Sequence, residues 1–298
     1  MPPESAGCVV TIGTYDGIHL GHQALLSRLR EHAVRLHAAA VMLTFEPTPR
    51  EYLAPQEPPA RLTSLRERWR ILSAAGPDYF WLLRFGEALR NLRAEAFAQL
   101  LARKLSPRLV VVGHDFRFAK NGEATAPVLA AAGKPLGFKV EVLDPVTLEG
   151  ERISSSGVRA ALAAGDFARA RNWLGRPWSM RARVRPGQRL GRQLGFATAN
   201  LPVERRCAPV GGVFAVRVHG VAQAALPAVA SLGTRPTVGG TQMLLEAHIF
   251  DFDRDLYGRE IEVEFVAKLR EEERFATLAE LTAQMHCDAA DARRILGA

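Results

Sequence analysis

The sequence predicts an α/β domain built on a parallel sheet, followed by an antiparallel β domain closed by one C-terminal helix. Three observations carry this expectation. Over residues 8–144 short apolar runs alternate with amphipathic helical spacings, the pattern of right-handed βαβ units. Beyond Gly175-Arg176-Pro177, strand-like runs follow one another between Gly, Pro and Asp clusters with no helix among them. At 298 residues the chain also exceeds the usual size of one hydrophobic core, so two domains are expected.

In order, residues 9–12, 40–43, 80–83, 109–112 and 140–143 read as strands, and 20–36, 64–74 and 94–104 as amphipathic helices between them. Such sheets bind ligands at the carboxyl ends of their strands, which directs attention to the segment after the first strand. Two short helical patterns, 155–163 and 167–174, precede the change of texture. Residues 180–184, 213–219, 226–232, 244–250 and 261–266 then read as strands of an antiparallel barrel or sandwich, and 278–296 as the closing helix.

With 48% hydrophobic and 23% charged residues, the chain is expected to fold throughout. It has no run of eighteen apolar residues, and residues 1–7 lack the basic start and apolar stretch of a signal peptide. A cytoplasmic protein without a membrane partner is expected. Cys8, Cys207 and Cys287 are too few and too scattered for a disulfide framework or a zinc site. The net charge of +8 sits mostly in residues 1–176, which carry 23 basic and 17 acidic side chains against 16 and 14 beyond. No run of five Lys or Arg occurs, so the excess is read as suited to anionic small ligands and no nucleic-acid partner is expected. Nothing in the chain indicates an oligomeric state.

The strand at 9–12 runs directly into Gly13-Thr14-Tyr15-Asp16-Gly17-Ile18-His19-Leu20-Gly21-His22 and then into a helix. Glycines permit a tight turn and close backbone approach, and the free N–H groups of a helix start attract phosphate oxygens. His19 and His22 are three apart and face one side of the first turn. Two imidazoles so placed can donate hydrogen bonds to a phosphate as charge builds in a transition state. A lone histidine would more often cap or pack; the strand–turn–HxGH–helix constellation favours chemistry. This segment resembles the HxGH nucleotidyltransferase superfamily, which joins a nucleoside triphosphate to a phosphate-bearing acceptor and releases pyrophosphate. That superfamily usually has a second phosphate-binding element after its last strand, and Ile153-Ser154-Ser155-Ser156-Gly157-Val158-Arg159 fits it.

Thr44-Phe45-Glu46-Pro47, Val112-Gly113-His114-Asp115-Phe116-Arg117-Phe118 and Leu174-Gly175-Arg176-Pro177 narrow the match. Together they resemble the adenylyltransferase module of prokaryotic FAD synthetases over nearly all of residues 8–178. The resemblance implies a Rossmann-like FMN adenylyltransferase domain at 1–176. It makes His19 and His22 catalytic and assigns ATP to Gly13, Tyr15, Asp16, Gly21, Ser154, Ser155 and Arg159. It places the flavin near Asp115 and Phe116. One stretch departs: where the family continues with glycine and a Gly/Arg-rich loop, this chain has Ala119-Lys120-Asn121-Gly122-Glu123, with Lys120 as a substitute for the arginine.

The C-terminal half carries Gly191-Arg192-Gln193-Leu194-Gly195-Phe196-Ala197-Thr198-Ala199-Asn200, then Gly212-Val213-Phe214, Gly233-Thr234-Arg235-Pro236-Thr237, Leu245-Glu246-Ala247-His248, Asp255-Leu256-Tyr257-Gly258, Lys268-Leu269-Arg270 and Arg274-Phe275. This series resembles riboflavin kinases over 177–298, which implies a six-stranded β-barrel. The family signature is Pro-Thr-Ala-Asn, and Ala197 stands in place of its proline. The resemblance marks Glu246 as general base, Gly191, Gly195, Thr198 and Asn200 as the ATP loop, Thr198 and Asn200 as Mg²⁺ ligands, and Arg270 as a flavin neighbour. Taken singly, Glu246 reads as a solvated strand residue and Thr-x-Asn as an ordinary turn.

The chemistry explains why the halves would differ. A ribityl hydroxyl is a poor nucleophile and benefits from a positioned carboxylate. The FMN phosphate is already ionised and needs positioning and charge stabilisation. Riboflavin, FMN and ATP are thus the expected partners, with Mg²⁺ as cofactor and flavins as substrates and products. Two other readings remain open: an HxGH transferase with a different acceptor and a non-catalytic barrel, and a basic nucleic-acid-binding or regulatory protein that keeps a flavin-binding barrel without turnover.

Overall fold

The computed structural model describes residues 7–118, 122, 124–187, 194–205, 207–237 and 240–298. Its contacts divide the chain into two units, one of residues 7–59 and 65–155, the other of 60–64 and 156–298.

The first unit runs β1 (Cys8–Ile12), α1 (Leu20–Arg35), β2 (Ala39–Glu46), α2 (Pro49–Leu53), α3 (Leu65–Ala75), β3 (Tyr79–Arg84), α4 (Glu87–Arg90), α5 (Ala94–Leu105) and β4 (Pro107–Gly113). After these come β5 (Arg117–Phe118), β6 (Ala124–Thr125), α6 (Ala126–Gly133), β7 (Lys139–Leu143), β8 (Thr147–Leu148) and β9 (Glu151–Arg152). Five strands form a parallel sheet in the order β3-β2-β1-β4-β7. β1 lies at its centre and is buried along its whole length, which is why Cys-Val-Val-Thr-Ile reads as a continuous run. Successive side chains of a strand point to opposite faces, so each strand feeds two cores. Val10, Ile12, Val41, Leu43, Val110 and Val112 pack with Phe97, Leu101 and Leu105 of α5 and Leu129 of α6. Val9, Met42 and Val111 pack with Leu25, Leu26 and Leu29 of α1 and Leu72 of α3. Chain order reverses at β1, whose neighbours are β2 on one side and β4 on the other. The crevice beyond the carboxyl ends of β1 and β4 is therefore where a ligand belongs.

The second unit runs α7 (Ser155–Ala163), whose first residue belongs to the first unit, α8 (Phe167–Leu174), β10 (Ser179–Arg183), β11 (Ala199–Pro202), β12 (Gly212–His219), β13 (Leu226–Thr237), β14 (Gly240–Ile249), β15 (Glu260–Arg270) and α9 (Leu278–Leu296). Its six strands pair antiparallel in the order β10-β15-β12-β13-β14-β11. A bridge between Arg185 and Asn200 ties the two edges into a nearly closed barrel, with the Arg185 N–H donating to the Asn200 carbonyl at 2.9 Å. Leu245, Ala247 and Ile249 are buried in the interior, with Phe214, Val216, Ala230 and Leu232. The opposite face carries Val213, Ala215, Val229 and Phe250, which pack against Ala292 and Leu296 of α9. Phe167 of α8 stacks on Phe265 at 6.2 Å and meets Phe214 edge-on at 6.0 Å, so α8 packs with the barrel. Thr277 caps α9 by accepting from the Glu280 N–H at 3.2 Å, and Gly297, at φ +68°, ends it in the left-handed conformation that glycine tolerates.

Candidate functional site

In the first unit the turn from β1 into α1 is tightly wound: Tyr15, Gly17 and Ile18 have φ of +52°, +83° and +45°. Two non-glycine residues in the left-handed region store strain that surrounding contacts must hold, a feature that gathers at functional sites. Tyr15 is fully buried with its hydroxyl 2.5 Å from Thr11 Oγ1, so any contact it makes with a nucleotide is through its backbone. A methyl group at Gly13 would meet the Tyr15 ring at 2.9 Å, which explains the glycine there.

His19 is the N-cap of α1, and its Nδ1 accepts from the His22 N–H at 3.4 Å. The two imidazoles stack at 3.7 Å between centroids and 19° between planes. The Tyr15 ring lies 5.0 Å from that of His22. His22 as a whole residue is half-buried, and its ring Nδ1 is buried with no hydrogen-bond partner among the described residues. Burial, and then the neighbouring His19, hold the His22 imidazole well below the usual histidine range. A neutral imidazole with an unpaired nitrogen suits the helix start, where N–H groups already favour an anion.

The segment of residues 153–155, expected from the resemblance to bind phosphate, comes to this turn. Ser155 Oγ donates to the Asp16 carbonyl at 2.9 Å, and Asp16 is itself buried. Gly21 brings α1 close to the segment leading into Ser154: a methyl group there would lie 3.8 Å from the Ile153 carbonyl. Arg159, one turn further along α7, donates from Nε to the Ala60 carbonyl at 2.5 Å within the second unit. Beyond β4, Asp115 is held by Arg152 at 2.5 Å, and Phe116 stacks on Phe118 at 5.4 Å. Residues 119–121 and 123 of the divergent loop, Lys120 included, lie outside the described residues, as does Gly191 of the second motif.

In the second unit Glu246 stands directly opposite Asn200 on β11 and Ser231 on β13. Directly paired residues share one face with Cβ atoms about 5 Å apart, so Glu246 and Asn200 are neighbours outside the barrel interior. Asn200 is buried there because the chain folds over it: a methyl group at Gly187 would lie 2.5 Å from Asn200 Oδ1. Its Nδ2 donates to the Thr198 carbonyl at 3.3 Å. Gly195 turns the loop at φ +83°. Where the family proline is absent, His248 Nδ1 donates to the Ala197 carbonyl at 2.9 Å, and Phe196 is packed edge-on by His248 and His286 at 5.0 and 4.9 Å. Ala197→Pro is accordingly expected to preserve or improve ATP affinity in riboflavin phosphorylation, since it removes only unfolded-state freedom of roughly 0.4–1 kcal/mol. A large rise in the KM for ATP in a folded variant would show that the loop needs the conformation alanine allows.

Arg270, expected from the resemblance to neighbour the flavin, makes a two-armed ion pair. Its Nε and Nη2 grip both oxygens of Asp288 on α9 at 2.9 and 2.8 Å, and it lies over the Phe275 ring at 5.6 Å.

Sequence reasoning did not single out Arg152, His248, Gly187 or Arg68. Arg152 directly precedes the Ile-Ser-Ser-Ser run, and His248 is two residues from Glu246 on the same strand face. Gly187 ends a Pro-Gly turn. Arg68 lies three residues after Leu65 and four before Leu72, on the apolar stripe of α3.

The first unit thus carries a histidine pair at a helix start on a parallel sheet, and the second a carboxylate–amide pair beside a turn-rich loop on a barrel. The comparisons with known proteins define the class as a two-domain transferase. Residues 1–157 match the FAD synthetase family model and 174–296 the riboflavin kinase model. The bifunctional riboflavin kinase/FMN adenylyltransferase of Escherichia coli (strain K12) is 44% identical over 98% of this chain and 93% of its own length. That of Pseudomonas fluorescens is 44% identical over 99% and 95%. A crystal structure described as a macrolide-efflux protein from Streptococcus pneumoniae superposes with a TM-score of 0.80 at 30% identity, covering 97% of this chain and 94% of that one. Among the described residues of this chain no helix is long and apolar enough to cross a membrane. The chain belongs to the bifunctional riboflavin kinase/FMN adenylyltransferase family.

Proposed function

We propose that the chain phosphorylates riboflavin to FMN with ATP on residues 177–298, and adenylylates FMN to FAD with a second ATP on residues 1–176, releasing pyrophosphate. The observation that supports this reading is that one half carries a stacked histidine pair at a helix start and the other a glutamate paired across strands with a buried asparagine, a difference that suits the two acceptors. In the first, an FMN phosphate oxygen bonds to the α-phosphorus of ATP as the bond to the leaving pyrophosphate breaks. Neutral His22, with His19 stacked against it, donates to the charge that develops there, and the α1 N–H groups with the backbone N–H groups of Ser154 and Ser155 hold phosphate oxygens, while the Ser155 hydroxyl ties this segment to the Asp16 carbonyl. Gly13, Asp16 and Gly21 shape the turn, Arg159 adds charge for ATP, and Asp115 and Phe116 border the flavin.

In the second, Glu246 takes the proton of the ribityl 5′-hydroxyl as that oxygen bonds to the γ-phosphorus and ADP leaves. Gly191 and Gly195 let the loop backbone approach the ATP phosphates, and Arg270 stands near the flavin. Thr198 and Asn200 would hold Mg²⁺, which neutralises phosphate charge when bound. The fit rests on chemistry: Mg²⁺ takes few protein ligands alongside water and phosphate oxygens. Neutral oxygens such as those of Thr198 and Asn200 suffice for it. Three free cysteines accord with a reducing, cytoplasmic setting, and small molecules rather than nucleic acid are the partners.

The test is incubation with riboflavin, ATP and Mg²⁺, with FMN and FAD followed by chromatography. FMN should appear first and FAD after it. FAD from added FMN but no FMN from riboflavin would reduce the barrel to an appendage. Neither product, with salt-dependent RNA binding, would favour the regulatory reading.

A further inference from the structure

We propose that Arg68 is a positioning residue for adenylyl transfer, fixing through the Thr14 carbonyl the turn that carries His19 and His22. The proposal rests on the assignment of that turn to the adenylyl site. Arg68 lies in α3, remote in sequence from the motif, yet its side chain is 1% exposed. Its Nη1 donates to the Thr14 carbonyl at 2.8 Å and approaches Thr44 Oγ1 at 3.5 Å. Its Nη2 donates to Glu46 Oε2 at 2.7 Å. Thr44 Oγ1 adds a second donor to the same Thr14 carbonyl at 3.3 Å. The guanidinium thus ties the carboxyl end of β2 to the first residue of the turn beyond Gly13.

Burying a guanidinium is costly unless it is paired, and apolar residues of similar volume often replace a buried ion pair without loss of stability. Packing alone therefore does not account for an arginine on the apolar stripe of α3. What an apolar side chain cannot do is hold a carbonyl. The Thr14 carbonyl immediately precedes Tyr15, the first of three positive-φ residues, and that strained turn ends at the His19 cap. A rigid, planar fork with one arm on Glu46 and the other on Thr14 fixes where the turn begins, and the histidine pair inherits that position. Small displacements of catalytic groups are expensive: a shift of about 1 Å can cost a hundredfold in rate.

The decisive variant is the double replacement Arg68→Met with Glu46→Gln, which removes the ion pair without leaving a buried charge alone. FAD formation from FMN, FMN formation from riboflavin and thermal melting are measured on the same preparation. The expected result is near-normal melting, unchanged riboflavin phosphorylation, and a fall of about a hundredfold in kcat for adenylyl transfer with little change in the KM for ATP. Full adenylyl transfer in this protein would overturn the proposal. Should the double variant not fold, Arg68→Lys serves, because it keeps the charge and replaces the two-armed grip by a single point. It is expected to lose about tenfold in kcat, again with KM little changed, and wild-type kcat would overturn the proposal. His22→Ala, assayed alongside, separates the two levels. If that variant retains adenylyl transfer, the assignment of the turn falls. If it loses adenylyl transfer while the Arg68 variants keep it, the positioning role alone falls.

Discussion

His22→Ala is expected to lower FAD formation from FMN by roughly a hundred- to a thousand-fold, the usual cost of losing one donor aimed at a developing phosphate charge. Riboflavin phosphorylation should continue in the same protein, so FMN accumulates when riboflavin is supplied. The expectation follows from the environment of the ring: its Nδ1 is buried without a partner among the described residues, and its neighbour His19 is committed to capping α1. The same burial predicts a pH dependence of stability. The folded imidazole is held well below 6.5, the ordinary histidine value, so as pH falls through about 6.5 the unfolded chain takes up a proton that the folded chain does not. The unfolded state binds more protons in that window, and stability must therefore fall with falling pH. Urea unfolding of the first unit, followed above and below pH 6.5, should show this loss in the wild type and a shallower one in His22→Ala. Equal loss of both reactions in a folded His22→Ala protein would mean that the two activities share one site.

The parallel sheet and its helices were legible because each strand is a short apolar run bounded by turn residues. The helices that cover them bury one stripe. The expected spans 94–104 and 64–74 lie within a residue of α5 and α3. α6 escaped because Ala-Pro-Val-Leu-Ala-Ala-Ala-Gly is apolar all round and has no stripe to detect. β11 escaped for the opposite reason: it has four residues, ends at Pro202 on a barrel edge, and carries Asn200 on its outer face. The motif reads as a loop, yet its last two residues, Ala199 and Asn200, are the first two of the strand. The histidine pair was legible from spacing alone, since the start of α1 fixes where positions 19 and 22 point. The Arg68–Glu46–Thr14 network was not, because its members lie on three elements that only the tertiary fold brings together. The neighbourhood of Asn200 and Glu246 was likewise hidden, because register between strands more than forty residues apart cannot be counted along the chain.

Glu246→Gln is expected to lower FMN formation from riboflavin by at least about a hundredfold, the loss typical of a removed general base, while FMN supplied directly is still converted to FAD. The substitution keeps the size of the side chain and a carbonyl-type oxygen in the same place, so the cross-strand position opposite Asn200 and Ser231 should survive. What it removes is basicity. The hydroxyl nucleophile then has no carboxylate to accept its proton, and kcat should fall much more than the KM for ATP changes, because Thr198 and Asn200 are untouched. Raising the pH offers a further check, since a glutamine cannot be restored by titration whereas a weakened but intact carboxylate would recover. The comparison to make is the rate with riboflavin and the rate with FMN, each at saturating ATP and Mg²⁺, in wild-type and variant protein. A folded Glu246→Gln protein that phosphorylates riboflavin at the wild-type rate would show that the barrel deprotonates its substrate by another group, and the outer-face pair of Glu246 and Asn200 would lose its catalytic assignment.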